Sequence, residues 1–146
     1  KMDLQPYIDF ATKQYVCYFA TTEGAQPRVR PMGLWFANNS GFYFQAWFTK
    51  SVCHQLQNNN RVEVCFHEPK SESSKGRVLR VSGEVEVLED VDLKKLVVKD
   101  KPLIFEMGLE WLEGPRLFIL RYRRGDDFFC ILELTGLEYV IVRDNF

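Results

Sequence analysis

Apolar and polar positions alternate with a period of two along most of this chain, and a helical period replaces it in only a few places. Alternation sends successive side chains to opposite faces of a strand, whereas residues three and four apart share one face of a helix. Leu4, Ile8 and Ala11 form a helical stripe within Asp3–Gln14, with Pro6 tolerable in the first turn. Tyr15–Thr21 reads as a strand closed by the turn signal Glu23-Gly24. Gln26–Phe36 and Phe42–Trp47 read as the two limbs of a hairpin across Asn38-Asn39-Ser40-Gly41. Val52 and Leu56, four apart, then predict a helix that opens at Thr49 to Ser51 and stops at Asn58-Asn59-Asn60.

Beyond that helix, Val62, Val64 and Phe66 share one face of a strand over Arg61–His67. Glu68–Gly76 is a polar loop. Arg77–Leu88 gives the longest strand pattern, Val85 and Val87 alternating with Glu84 and Glu86, and Gly83 within it marks a bulge or bend. A helix over Asp90–Lys99 carries Leu93, Leu96 and Val97 on its apolar face and ends before Pro102. Leu103–Glu113 reads as a short helix and a loop. Arg116–Tyr122, Phe128–Leu134 and Leu137–Arg143 are further strands, with turns at Arg124-Gly125-Asp126-Asp127 and Thr135-Gly136. Many short strands with a few helices predict a mainly β protein. The expected form is an antiparallel, Greek-key-like barrel with short flanking helices, one domain over residues 1–146.

Composition narrows the possibilities. Twelve Phe residues raise the aromatic fraction to 14%, which favours strands and large buried side chains. A net charge of −1 argues against a general nucleic-acid binder. No apolar run reaches the length of a membrane span, and the first residues lack the basic-then-apolar order of a signal peptide, so a cytoplasmic location is expected. Cys17, Cys53, Cys65 and Cys130 are far apart and sit among apolar residues, as reduced core thiols do. Cys53-His54 and Cys65-Phe66-His67 do not have the spacing of a zinc site, and no metal is expected.

The chemistry gathers between Arg28 and Gln55. Arg28 and Arg30 alternate with Val29 and point to one face of their strand. Thr49, Lys50 and Ser51 crowd the start of the following helix, where unpaired N–H groups and the helix dipole favour a phosphate. The aromatic surface between these polar edges suits a flat ring. No Ser–His–Asp set, nucleophilic Cys or carboxylate pair accompanies it.

These residues carry a resemblance. Pro27 to Gly33, the hairpin, Thr49-Lys50, the helix with Gln55-Leu56, Asn60-Arg61-Val62-Glu63-Val64 and Leu79-Arg80-Val81-Ser82-Gly83-Glu84-Val85 together resemble the pyridoxamine 5′-phosphate oxidase-like family, most closely its small general stress protein-like branch. The likeness runs from about Tyr15 to Leu88. It implies an FMN-binding split β-barrel that forms a homodimer with FMN at the interface. On it, Arg30, Pro31, Met32 and Gly33 run along the isoalloxazine ring, Gln45 and Ala46 contact the flavin from a second strand, and Thr49 and Lys50 hold the phosphate. Arg28 is a further phosphate or ribityl contact, and Gln55 occupies a helix position shared with the family.

Three features depart from the true oxidases. Leu34-Trp35-Phe36 stands where they carry a substrate-binding Lys, Val78 where they carry a Gln, and their C-terminal Trp and Arg motif is not recognisable. The resemblance therefore implies an FMN-dependent oxidoreductase of flavin reductase or nitroreductase type rather than the oxidase itself. Its chemistry would lie at flavin N5, NAD(P)H is a possible redox partner, and Arg30 would favour the anionic reduced ring. The alternative is a flavin-binding carrier, sensor or stress protein without turnover. Related barrels hold haem or deazaflavin, for which His54 and His67 are the haem-ligand candidates.

Overall fold

The computed structural model describes residues 3–47, 51–88, 92 and 129–144. Among them are two helices and seven strands: α1 Gln5–Gln14, β1 Val16–Glu23, β2 Gln26–Gly33, β3 Phe36–Asn38, β4 Gly41–Trp47, α2 Ser51–Asn58, β5 Arg61–Glu68, β6 Arg77–Leu88 and β7 Phe129–Asp144. The strands form one sheet in the order β2-β1-β5-β6-β7-β4-β3, every neighbouring pair antiparallel. This is the split-barrel fold, mainly β with flanking helices. Apart from Asp92, the expected helix over Asp90–Lys99 lies outside the described residues, as do the segment Leu103–Glu113 and the strand Arg116–Tyr122.

The alternation seen in the sequence is the alternation of burial. In β1, Cys17, Phe19 and Thr21 are buried, while Val16 and Tyr18 face outward. Val62, Val64 and Phe66 do the same in β5. Phe19, Phe42, Phe44, Phe66, Leu79, Val64 and Val81 are fully enclosed, and Phe19 meets Phe44 edge-on with ring centroids 5.1 Å apart. Each such phenyl group contributes roughly 2–3 kcal/mol by leaving water. Helix α1 closes one side of this core with Ile8, Phe10 and Ala11, and α2 adds Val52, Cys53 and Leu56.

Three details differ from the sequence reading. The expected limb Gln26–Phe36 is two strands. Its first part, β2, pairs with β1 across the turn at Gly24, whose φ of +60° suits glycine. Only Phe36–Asn38 pairs with β4. Between them the chain leaves the ladder: the Leu34 N–H donates to the Tyr15 carbonyl and the Trp35 N–H to the Tyr43 carbonyl, both at 2.9 Å. Second, α1 starts at Gln5 rather than Asp3, because Asp3 Oδ1 accepts the Gln5 N–H from outside the helix.

Third, Thr135-Gly136 is no turn. β7 runs unbroken from Phe129 to Asp144, because the twelve-residue β6 offers a template for both halves. The mismatch becomes a bulge: β6 partners jump from Tyr139 opposite Ser82 to Thr135 opposite Glu84, with Gly83 at the irregularity.

Candidate functional site

β2 is the outermost strand at one end of the sheet. At the other end β3 is so short that, among the described residues, β4 beyond Tyr43 has no strand on its outer side. Among the described residues these two strand edges have no further ladder partner. A cavity of about 240 Å³ lies between them, lined by Arg30, Pro31, Met32 and Gly33 of β2 and by Gln45 and Ala46 of β4. Tyr15, before β1, and Val52, in the first turn of α2, complete the wall. Six of the residues singled out in the sequence are thus in one place, although the two groups lie at opposite ends of the sheet order.

Arg30 is the one cation of that lining and is held from behind. Its Nη1 donates to the Phe19 carbonyl at 3.1 Å and to Thr21 Oγ1 at 2.8 Å, and its Nη2 donates to Gln55 Oε1 at 2.5 Å. The Thr21 hydroxyl donates to the same Gln55 oxygen, also at 2.5 Å. Thr21 and Gln55 are 3% and 4% exposed, so the acceptors that hold the half-buried Arg30 are themselves buried. Burial, and then the Arg28 charge beside it, pull Arg30 below the usual guanidinium range, yet a guanidinium stays protonated in a protein. Its Nε–H and second Nη2–H have no partner among the described residues and remain for a ligand.

Gln55 therefore lies behind the cavity, as the acceptor that aims Arg30. Arg28 shares Arg30's face but is exposed, and its Nε and Nη2 donate to Glu23 Oε1 at 3.1 and 2.7 Å. That hydrogen bond first, and the Arg28 charge second, hold the Glu23 carboxyl below its usual range. Thr49 and Lys50 lie outside the described residues. His54 and His67 are both exposed and neither lines the cavity. Among the described residues no group of three His, Cys, Asp or Glu side chains could hold a metal ion, and no helix is long and apolar enough to cross a membrane.

Tyr15 escaped the sequence reading. It follows α1 with φ 66° and ψ −63°, the strained conformation of a tight three-residue turn. The turn is held from both sides: the Tyr15 N–H donates to the Ala11 carbonyl, and the Tyr15 carbonyl accepts from Leu34. Its ring lies over Gly33, where an added Cβ would meet the Tyr15 hydroxyl at 2.5 Å and the ring carbon Cζ at 2.6 Å. Glycine at 33 is what allows the phenol to rest on β2 beside the cavity. No sequence pattern announces a tyrosine at positive φ.

The lining has the residue types that suit a flat ring. Ala46 and Gly33 project little into it, Pro31, Met32 and Val52 supply apolar contact, and Arg30 and Gln45 bring polar groups to its wall.

The family model described as pyridoxamine 5′-phosphate oxidase matches residues 7–107, about two thirds of the chain. Among solved structures, a NimC/NimA family protein from Clostridium acetobutylicum is 25% identical with a TM-score of 0.71, over 97% of this chain and 87% of that one. A FAD-binding protein from Mesorhizobium loti is 18% identical with a TM-score of 0.64, over 97% and 92%. HutZ, a haem storage protein from Vibrio cholerae, is 19% identical with a TM-score of 0.64, over 97% and 95%. The last two likenesses concern the fold alone. No curated protein matches the chain by sequence.

Proposed function

The chain belongs to the pyridoxamine 5′-phosphate oxidase family, and from that membership we propose that it is an FMN-dependent oxidoreductase whose cavity between β2 and β4 takes the isoalloxazine ring. The observation that carries this reading is the convergence of Arg30, Pro31, Met32 and Gly33 with Gln45 and Ala46 around one cavity. When bound, the flavin supplies the redox chemistry, and the protein's part is to orient the ring and set its surroundings.

Arg30 brings a fixed positive charge to the ring, its direction set by Thr21 and Gln55 rather than by solvent. Pro31 has no N–H, so a backbone donor to the ring has to come from Met32 or Gly33. Tyr15 and Val52 complete the wall around the ring's place. Val52, two residues after Lys50 in the sequence, lines the cavity from the first turn of α2. That proximity supports Thr49 and Lys50 as the phosphate ligands, at a helix start that favours an anion.

A homodimer belongs to the same reading. Val16, Tyr18 and Val29 form an outward apolar face on β1 and β2, with 45%, 49% and 68% exposure. A second copy of the chain would cover it. Sedimentation of the flavin-loaded protein at micromolar concentration tests this: a dimer supports the shared interface, and a clean monomer contradicts it.

The haem relative supplies a competing ligand, but neither His54 nor His67 reaches the cavity. The test of the oxidoreductase reading is anaerobic addition of NADH or NADPH to the FMN-loaded protein. Bleaching of the flavin spectrum at a rate well above that of free FMN supports turnover. A spectrum unchanged by either donor favours a carrier or sensor.

A further inference from the structure

Two residues before Tyr15, the last turn of α1 borders a second cavity, about 370 Å³, lined by Lys13, Glu68, Ser73, Ser74, Lys75 and Arg77. It shares no residue with the cavity between β2 and β4. The polar β5–β6 loop forms its rim and is folded on itself. The Ser71 N–H donates to the Ser74 carbonyl at 2.9 Å, the Gly76 N–H donates to Ser74 Oγ at 3.1 Å, and Gly76 turns the chain with φ +86°.

Glu68 organises the floor. Its carboxylate accepts the Ser74 hydroxyl at 2.5 Å, Arg77 Nε at 3.2 Å and Nη2 at 3.4 Å, and Gln14 Nε2 at 3.5 Å. These donors, with the charges of Arg77 and Lys13, hold the acid below its usual range, so it is ionised at neutral pH. Arg77 is further fixed with its guanidinium carbon 4.7 Å from the centre of the Phe10 ring.

Glu68 is the only acid in this lining, against the three cations Lys13, Lys75 and Arg77, which leaves two positive charges uncompensated. Among the described residues neither Lys13 nor Lys75 makes a hydrogen bond or an ion pair. Two exposed ammonium groups, a positioned guanidinium and the Ser73 hydroxyl around one concavity form a set of donors, while the Glu68 carboxylate is already saturated, in part by the Ser74 hydroxyl. Such a set matches an oxyanion carrying more than one charge. The volume exceeds that of a lone phosphate group. We propose that this cleft binds the phosphate of a small phosphorylated molecule, independently of the flavin cavity.

The test is an amide-resolved NMR titration of the whole chain with inorganic pyrophosphate and, separately, with ADP, at constant ionic strength. Saturable shifts at Lys13 and at Ser73 to Arg77, with Arg30 and Gln45 unmoved, support the proposal. In the Lys13→Ala/Lys75→Ala double variant both affinities should fall at least about tenfold. Both side chains are exposed and neither makes a hydrogen bond among the described residues, so the variant should retain the fold, which its amide spectrum verifies. ADP binding more tightly than pyrophosphate identifies a nucleotide as the better ligand, whereas equal affinities show that the phosphate alone is recognised. Either result supports the site. The proposal is overturned if neither probe gives saturable shifts there, if the double variant binds as the parent does, or if the shifts fall only around the β2–β4 cavity.

Discussion

Arg30 Nη2 on β2 donates to Gln55 Oε1 on α2 at 2.5 Å, so a residue of the cavity wall takes its direction from a helix packed behind it. The same oxygen accepts the Thr21 hydroxyl, and both Thr21 and Gln55 are buried. Gln55→Ala removes that acceptor from two donors at once. A buried group deprived of its partner costs about 1–3 kcal/mol. The urea midpoint of Gln55→Ala should fall accordingly with an unchanged m value, and FMN affinity should fall with it. Gln55→Glu keeps the acceptor and should recover most of both. Equal midpoints for Gln55→Ala and the parent would show that the network contributes nothing.

Gly33 and Tyr15 are coupled in a way that a double-mutant cycle reads directly. In Gly33→Ala the new methyl group collides with the phenol end, and the Tyr15 ring has to swing away from β2. Because that end is the far tip of a side chain, the stability loss should stay at the low end of overpacking costs, about 1 kcal/mol, while the cavity wall changes shape and FMN binds more weakly. In a Tyr15→Ala background the same substitution meets no ring and should have little further effect. Additive effects on FMN affinity would contradict the contact.

Cys17 carries a pH dependence. It is fully buried, and desolvation, with the nearby Cys65 as the second cause, pushes its thiol up to about 12 from 9.0. The folded pKa is raised, so the contribution to stability is complete below about pH 9, where the unfolded thiol is still neutral. It is lost as pH rises from there towards the folded value. The loss approaches about 1.4 kcal/mol per pH unit in that window. Stability measured from pH 8 to 11 should fall more steeply in the parent than in Cys17→Ala, and the Cys17 thiol should resist alkylation while the chain is folded. Equal slopes would mean that Cys17 ionises as freely folded as unfolded.

Much of this was legible because burial follows alternation. β5 and β6 lie where Val62, Val64, Phe66 and the Arg77–Leu88 run put them, and Gly83 marks the irregularity in β6. The break at Leu34-Trp35 was not legible. The apolar run continues through it, and the chain leaves the ladder only because carbonyls of Tyr15 and Tyr43, distant in sequence, accept those two N–H groups. The same holds for Gln55. Its place on a helix could be read from spacing, but its burial against Arg30 depends on β2 and α2 meeting across the core. Thr135-Gly136 has the composition of a turn, and only the length of β6 keeps it within a strand.

Flavin fluorescence titration of the purified chain with FMN and with riboflavin, in parent and Lys50→Ala, tests the central claim most directly. Both flavins present the same ring to the β2–β4 cavity, and only FMN carries the phosphate assigned to Thr49 and Lys50. The account predicts saturable binding of both ligands to the parent, FMN the tighter. In Lys50→Ala, loss of one charge-assisted hydrogen bond, about 1.5–3 kcal/mol, should weaken FMN by about one to two decades and leave riboflavin nearly unchanged. Absence of saturable binding by either flavin would contradict the account.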